Sequence, residues 1–516
     1  MGLILVACTL AFVVWLYFQY NPLAHSGRFL YRRFLNWFPL GMSYAFLYMA
    51  RYNLNVSKNA LGPLMDKESF GIIFGAGTIT YGLSFLLNGP LVDKIGGKRG
   101  ILLATSGAAL ANAAMGVVTY LFLNHQLSTD MTITYAVLYS LNMFFQSYGA
   151  VSIIKVKAYW FHVRERGIFG AIFGTLISFG VYFAFDWGQA IAEASKAQIA
   201  NPTPFQSFIH SVFPLATNGL DSTWLVFYIP AILLVFWFFI DLWLIKDMPS
   251  HANFEDFDTH DASSGEMHID YTMGEILKRV LTNPILMMIA AVEFTTGVLR
   301  NGVMQWYFIF AKEVPQPGAE FFHDNWGLLL CITGIIGGFA AGFISDHFFH
   351  SRRGPPVALA GALILAFSGV MTLILYSSPI GVGICAVAIC LFSISVHSLM
   401  SGTAAADFGG RKMTATASGI TDGFVYLGTG LQSVSLGFLT TKSWLFWPAF
   451  LVPFAILGIY FASRMWRVLP EATRRYLVTV EKIDAVIVGH HVGIHATKET
   501  VEVEVDTLAL DDSRSR

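Results

Sequence analysis

Charge is scarce in this chain. Asp, Glu, Lys and Arg make up 13% of its 516 residues, about half the share expected of a soluble domain. The net charge is −1, so no global basic field points to a nucleic-acid partner. Cysteine is nearly absent. Cys8, Cys331, Cys385 and Cys390 all lie in apolar runs, and none has metal-ligand spacing with a histidine. They read as packing residues, with no disulfide framework and no metal site. Catalytic signatures are missing too: there is no H-E-x-x-H, no P-loop and no nucleophile elbow. A membrane enzyme is therefore set aside and no cofactor is expected.

What the chain has instead is apolar length. Hydrophobic residues reach 55%, Phe alone occurs 45 times, and the mean hydropathy is +0.58. Thirteen runs approach the roughly 20 apolar residues that a membrane-spanning helix needs. The first, "GLILVACTLAFVVWLYF", has no basic segment before it and no small-residue cleavage site after it. It reads as an uncleaved anchor in residues 1–24. The other twelve fall six and six, over residues 28–245 and 284–467, around a polar stretch at 246–283. A polar tail follows from 468 to 516, and its His490, His491 and His495 read as solvated. Lys and Arg crowd alternate loops: Arg28, Arg32 and Arg33; Lys94, Lys98 and Arg99; Arg164 and Arg166; Arg352 and Arg353; Arg411 and Lys412. The positive-inside rule puts these loops, the middle stretch and the tail in the cytoplasm, with the N-terminus outside.

The two sets of six echo each other. "GPLVDKIGGKRG" follows the second run of the first set and "GFISDHFFHSRRG" the second run of the other. Arg51 precedes Asp93 by 42 positions, and Arg300 precedes Asp346 by 46. Matched halves predict a transporter whose site lies between them, near the bilayer midplane. Both arginines sit well inside apolar runs, "YAFLYMARYNLNV" and "FTTGVLRNGVMQWYFIF". An unpaired guanidinium there costs at least ~3 kcal/mol. Arg300 has bland explanations, snorkelling to the interface or pairing with Glu293 two turns earlier. A matching Arg51 argues for more. Two cations brought face to face by a pseudo-two-fold repel, and an anion between them removes the repulsion. The planar fork of Arg suits phosphate or carboxylate.

These same segments resemble a known family. "YRRFLNWFPLGMSYAFLYMARYN" and "LRNGVMQWYFIFAKEV" are similar to the first and seventh helices of the organophosphate:phosphate antiporters, the glycerol-3-phosphate and hexose-phosphate transporter group of the major facilitator superfamily. "FFQSYGAVSIIKVKAYWFHVRERG" resembles their fourth helix and the loop after it, with Gln146, Gly149, Lys155, Trp160 and Glu165-Arg166-Gly167 in register. "SGITDGFVYLG" resembles their eleventh helix. The likeness implies an all-α membrane protein of the major facilitator fold, two six-helix bundles related by a pseudo-two-fold, here with one extra N-terminal transmembrane helix. It also implies phosphate binding by Arg51 and Arg300. Two departures stand out. Phe85 occupies the place of a frequent lysine in helix 2, and Ile177 or Ser178 that of a frequent histidine in helix 5.

The candidate substrate site is thus Arg51 and Arg300 with Tyr48, Asn53, Asp422, His397 and Glu293. Glu293 is expected to hold Arg300 when substrate is absent. Asp422 reads either as a contact for a substrate hydroxyl or lysine, or as cavity wall. His397 reads as a packing or cavity residue, and Asp186 as the exposed end of helix 5. Asp93, Lys94, Arg99, Asp346 and Arg352 are expected to gate by bridging helices within each half. The expected function is exchange of a phosphate ester for inorganic phosphate by alternating access, by a monomer in a bacterial inner membrane. A phosphate-ester sensor of the same fold and a carrier of another organic anion are the alternatives.

Overall fold

The computed structural model describes residues 2–162, 165–195, 201–213, 222–257, 273–349 and 352–469. Among them only helices form. α1 is Gly2–Gln19. The first half then holds α2 (Gly27–Leu61), α3 (Lys67–Ile95), α4 (Gly97–Leu123), α5 (Met131–Trp160) and α6 (Arg166–Tyr182). α6 continues through a π-helical turn, Phe183–Trp187, into α7 (Gly188–Ala194). A short α8 (Pro204–Val212) precedes α9 (Leu225–Leu244), and α10 (Met273–Thr282) belongs to the connection between halves. The second half holds α11 (Pro284–Met304), which runs almost directly into α12 (Trp306–Glu313), a short α13 (Glu320–Asp324), and α14 (Trp326–Phe349). It ends with α15 (Gly354–Ile374), α16 (Pro379–His397), a π-helical stretch Ser398–Ala404, α17 (Ala405–Lys442) and α18 (Phe446–Arg464).

Local chemistry sets the starts. Ser26, Asp66, Asp130, Asn283 and Ser378 each accept a backbone N–H of the first turn of α2, α3, α5, α11 and α16, satisfying donors that a helix start leaves free. Among the described residues, ten helices are long and apolar enough to cross a membrane by length and composition. α2, α11 and α17 are not among them, and these carry Arg51, Arg300 and Asp422.

The halves meet along two seams, α3 on α17 and α6 on α14. Glycine makes the first seam close: a Cβ at Gly71 would fall 2.5 Å from the Ser433 carbonyl oxygen, and one at Gly82 would fall 2.8 Å from that of Gly423. α1 lies against the second seam, with Gly2 next to Tyr182 and Leu328. Its other end is fixed by Tyr17, which donates to the Leu30 carbonyl (2.9 Å) and accepts from Arg33 Nε (2.9 Å). Arg33 is no loop cation, as its place in the sequence suggested. It is buried within α2 and forks onto both Glu165 oxygens at 2.9 and 2.8 Å. All four cysteines are free.

Candidate functional site

α2 repeats tyrosine every fourth residue, at 44, 48 and 52, which places the three on one face. Arg51 shares that region and is fully buried. Its guanidinium carbon lies 4.7 Å from the Tyr48 ring and 4.4 Å from that of Tyr81 on α3. Nε donates to Gln146 Oε1 (3.0 Å), and Nη1 donates to the hydroxyl of Tyr426 on α17 (2.9 Å). Nη2 has no partner. Gln146 is itself held. Its amide donates to Asn142 Oδ1 (3.0 Å), which also accepts from Asn112 (3.1 Å), while Asn53 donates to Asn112 Oδ1 (2.8 Å). Asn53 therefore points into the first bundle, where it braces the amide chain that aims Gln146 at Arg51.

Arg300 is dressed differently. It is mostly buried in mid-helix, and its Nε is buried with no hydrogen-bond partner among the described residues. Tyr48, Tyr52 and Tyr426 all interact electrostatically with Arg300 and also with Arg51. The two arginines, from different halves, thus address one set of phenols. Tyr52 also donates to Asn301 Oδ1 across the halves (3.3 Å).

Glu293 does not close on Arg300. Seven residues separate them, about 10 Å along a helix axis, and Glu293 lies within Arg300's electrostatic reach only. Its Oε2 instead meets His397 Nδ1 at 2.9 Å, while Oε1 has no partner. Ser401, in the π-helical stretch, donates to Asp422 Oδ1. Glu293, His397 and Asp422 therefore form one cluster, each within reach of Arg300.

Other expectations fall elsewhere. Asp186 is no exposed helix end, because the helix continues through Trp187 into α7. It sits half-buried in the π-helical turn beside Gly327 and the backbone of Leu328, at the start of α14. The side chains of Asp93 and Asp346 lie outside the described residues, as does the histidine-bearing tail. Lys94 and Arg99 are exposed, and Arg352 is half-buried beside Arg353, which donates to Ser345 (2.9 Å). Phe85, where the resemblance has a lysine, lies 4.9 Å from Tyr81 and 6.4 Å from Tyr426, closing an aromatic wall around Arg51. Ser178 is buried against Gly334 of α14. Trp160 and Trp306 are fully buried, donating to the Lys246 carbonyl and to Gln432.

Three features escaped the sequence reading. Tyr81 and Tyr426 box Arg51, though the tyrosine spacing on α2 already marked an aromatic face. Glu313, at the end of α12, bridges Lys58 (2.7 Å) and Lys67 (3.1 Å) of the first half. Asp241 is buried in α9 and accepts from Ser43 (2.6 Å).

Known proteins fit this architecture. Residues 33–433 match the Major Facilitator Superfamily. The chain is 27% identical over 443 residues to the glycerol-3-phosphate transporter of Bacillus subtilis (strain 168), covering 82% of this chain and 90% of that protein. It is 24% identical over 413 residues to the membrane sensor protein UhpC of Escherichia coli (strain K12), covering 78% and 85%. A bacterial homolog of the human lysosomal transporter Spinster has the same fold, with a TM-score of 0.65 at 13% identity over 86% of this chain and 98% of that one. With its matched halves of long apolar helices, the chain is a multi-pass integral membrane protein that belongs to the Major Facilitator Superfamily.

Proposed function

We propose that this protein exchanges an organic phosphate, of the sugar-phosphate or glycerol 3-phosphate class, for inorganic phosphate by alternating access. One observation carries the reading: Arg51 lies against Tyr48 and Tyr426, and Arg300, from the other half, lies within electrostatic reach of the same two tyrosines and of Tyr52. The relatedness to a glycerol-3-phosphate transporter over most of both chains supports it. In the arrangement described, Tyr426 holds Arg51 from the opposite half. A phosphate dianion displaces that phenol, takes the fork of Arg51 on one side and that of Arg300 on the other, and removes their mutual repulsion. Glu293, His397 and Asp422 then face the remainder of the ligand.

Movement follows from the same contacts. Glu313 with Lys58 and Lys67, and Asn59 with the Phe308 carbonyl (3.2 Å), join the halves at one end. Opening that end breaks all of them. Because the ligand bridges the halves, the loaded carrier reorients and the empty one lags, which favours exchange over net flux. We place the closed end outside a bacterial inner membrane, with the N-terminus outside and the tail cytoplasmic, and we take the carrier to act as a monomer. The residues named as gates at the loops, Asp93 and Asp346 with their basic neighbours, act within each half.

The test is direct. Vesicles containing the purified protein are loaded with radiolabelled phosphate, and phosphate esters are offered outside. Ester-driven release of label is expected. Binding of an ester with no release would make the protein a sensor, a reading that Phe85 in place of the lysine keeps specific. Exchange driven by carboxylates and insensitive to phosphate would make it a carrier of another anion.

A further inference from the structure

Phosphate capture by two arginines gives the acid–histidine cluster no part in holding the phosphate group itself. Glu293 is fully buried, and one of its oxygens touches only His397, whose side chain keeps 27% of its exposure. A buried carboxylate in contact with a partly exposed imidazole is a proton store with a doorway. The elements packed around it add few other charges. α11 supplies Arg300, α17 supplies Asp422, and the π-helical stretch supplies the neutral Ser401. Among the described residues, α15 offers no titratable side chain and α18 only Tyr460 and Arg464, while α14 adds no charge that reaches the cluster. Among the described side chains, Arg300 is the cation that reaches both carboxylates.

We infer that Glu293 and His397, with Asp422 beside them, form a proton-binding site whose occupancy rises when a phosphate dianion settles against Arg300. The inference rests on the phosphate-exchange reading. Before binding, Arg300 offsets the two acids. The arriving dianion claims Arg300 and adds negative charge in a space poor in water, so the nearest basic group gains affinity for a proton. The proton comes from solvent to His397 and is shared over the 2.9 Å contact with Glu293. No bond other than those to the proton forms or breaks. Reciprocity follows: if the anion raises proton affinity, the proton raises anion affinity by the same factor. The loaded carrier therefore moves with up to one proton more than the empty one.

The test is calorimetric titration of the purified full-length protein with inorganic phosphate and with glycerol 3-phosphate, from about pH 6 to about pH 8. Two buffers of different protonation enthalpy are used, so that protons are counted. The ligand's own protonation cancels when wild type is compared with Glu293→Gln. Wild type is expected to take up as much as ~1 proton more per ligand somewhere in this range, and its Kd to weaken with rising pH by up to ~10-fold per unit more steeply. His397→Gln is expected to flatten the slope in the same way. Equal proton counts and slopes in wild type and both variants would overturn the inference. If a variant does not fold, wild type alone decides: a protonated-carboxyl or an imidazolium band must appear in the phosphate-minus-buffer infrared difference spectrum, and the absence of both overturns the proposal. Failure of wild type to bind either probe would overturn the functional reading and this inference with it, whereas binding without proton uptake overturns this inference alone.

Discussion

Arg51 and Arg300 hold matching places in the two halves and live in opposite circumstances. Arg51 is sealed among aromatic rings, its donors directed to Gln146 and Tyr426, with an amide chain behind it. Arg300 is mostly buried, with no partner on Nε among the described residues, and lies within electrostatic reach of two carboxylates and a histidine. Repetition places the cations; their surroundings differentiate them. The first half presents a rigid, pre-aimed fork, which lowers the cost of ordering on binding. The second presents an available cation whose charge is already contested.

Conservative replacement separates these roles most strongly. Arg300→Lys keeps the charge and loses the fork. Exchange is expected to fall about 100-fold, the scale of one charge-assisted hydrogen-bond pair at ~3 kcal/mol, while Tm stays near wild type because no hydrogen bond depends on the side chain's shape. Arg51→Lys should lose exchange and Tm together, since an ammonium group cannot reach Gln146 and Tyr426 at once. Equal thermal effects in the two variants would remove the distinction. Exchange assays in vesicles and thermal unfolding in detergent check both.

Tyr426→Phe comes next. The phenol occupies Arg51 in the arrangement seen, so removing its hydroxyl frees a donor for the ligand. Phosphate is expected to bind roughly 10-fold more tightly, the worth of about one hydrogen bond to a charged group. Weaker binding would make Tyr426 a ligand of the phosphate instead. A smaller change is expected for Gln146→Leu, which strips Arg51 of an acceptor and leaves part of the amide chain unpaired. It should cost about 1–3 kcal/mol of stability and weaken phosphate binding several-fold, with the equivalent loss absent around Arg300.

Much of this was legible in the sequence, and the boundary is physical. An arginine inside an apolar run announces itself because hydrocarbon penalises it; two at matching positions announce a symmetry. The fold followed from twelve runs and a repeated loop. Tyrosine carries no such signal, since its ring sits in apolar surroundings at little cost. Which ring meets Arg51 was decided by Tyr426, 375 residues away. Glu293 was expected on Arg300 because they share a helix face; the partner it took, His397, lies 104 residues on and is brought close where α16 gives way to the π-helical stretch. Asp186 misled for a similar reason: a π-helical turn carries the helix past it, and no residue pattern marked that turn.

The smallest effect belongs to the closed end, where the contrast between halves is one of charge sign. The second half offers a single Glu313; the first offers Lys58 and Lys67, with Lys67 also 4.6 Å from the Trp444 ring and donating to the Thr440 carbonyl (3.0 Å). Glu313 keeps 30% of its exposure, so solvent screens the pair and its worth is at most about 1 kcal/mol. Glu313→Gln removes the bridge and leaves two lysines facing each other. The population open at this end is expected to grow by up to about 5-fold. Spin labels at Leu64 and Glu320, one on each half, read this as added long distances once the four native cysteines are replaced. Saturating phosphate should pull the distances back, because a ligand held by both arginines draws the halves together whether or not the bridge is present. An unchanged distance distribution in Glu313→Gln would mean that the α3–α17 seam alone keeps this end shut.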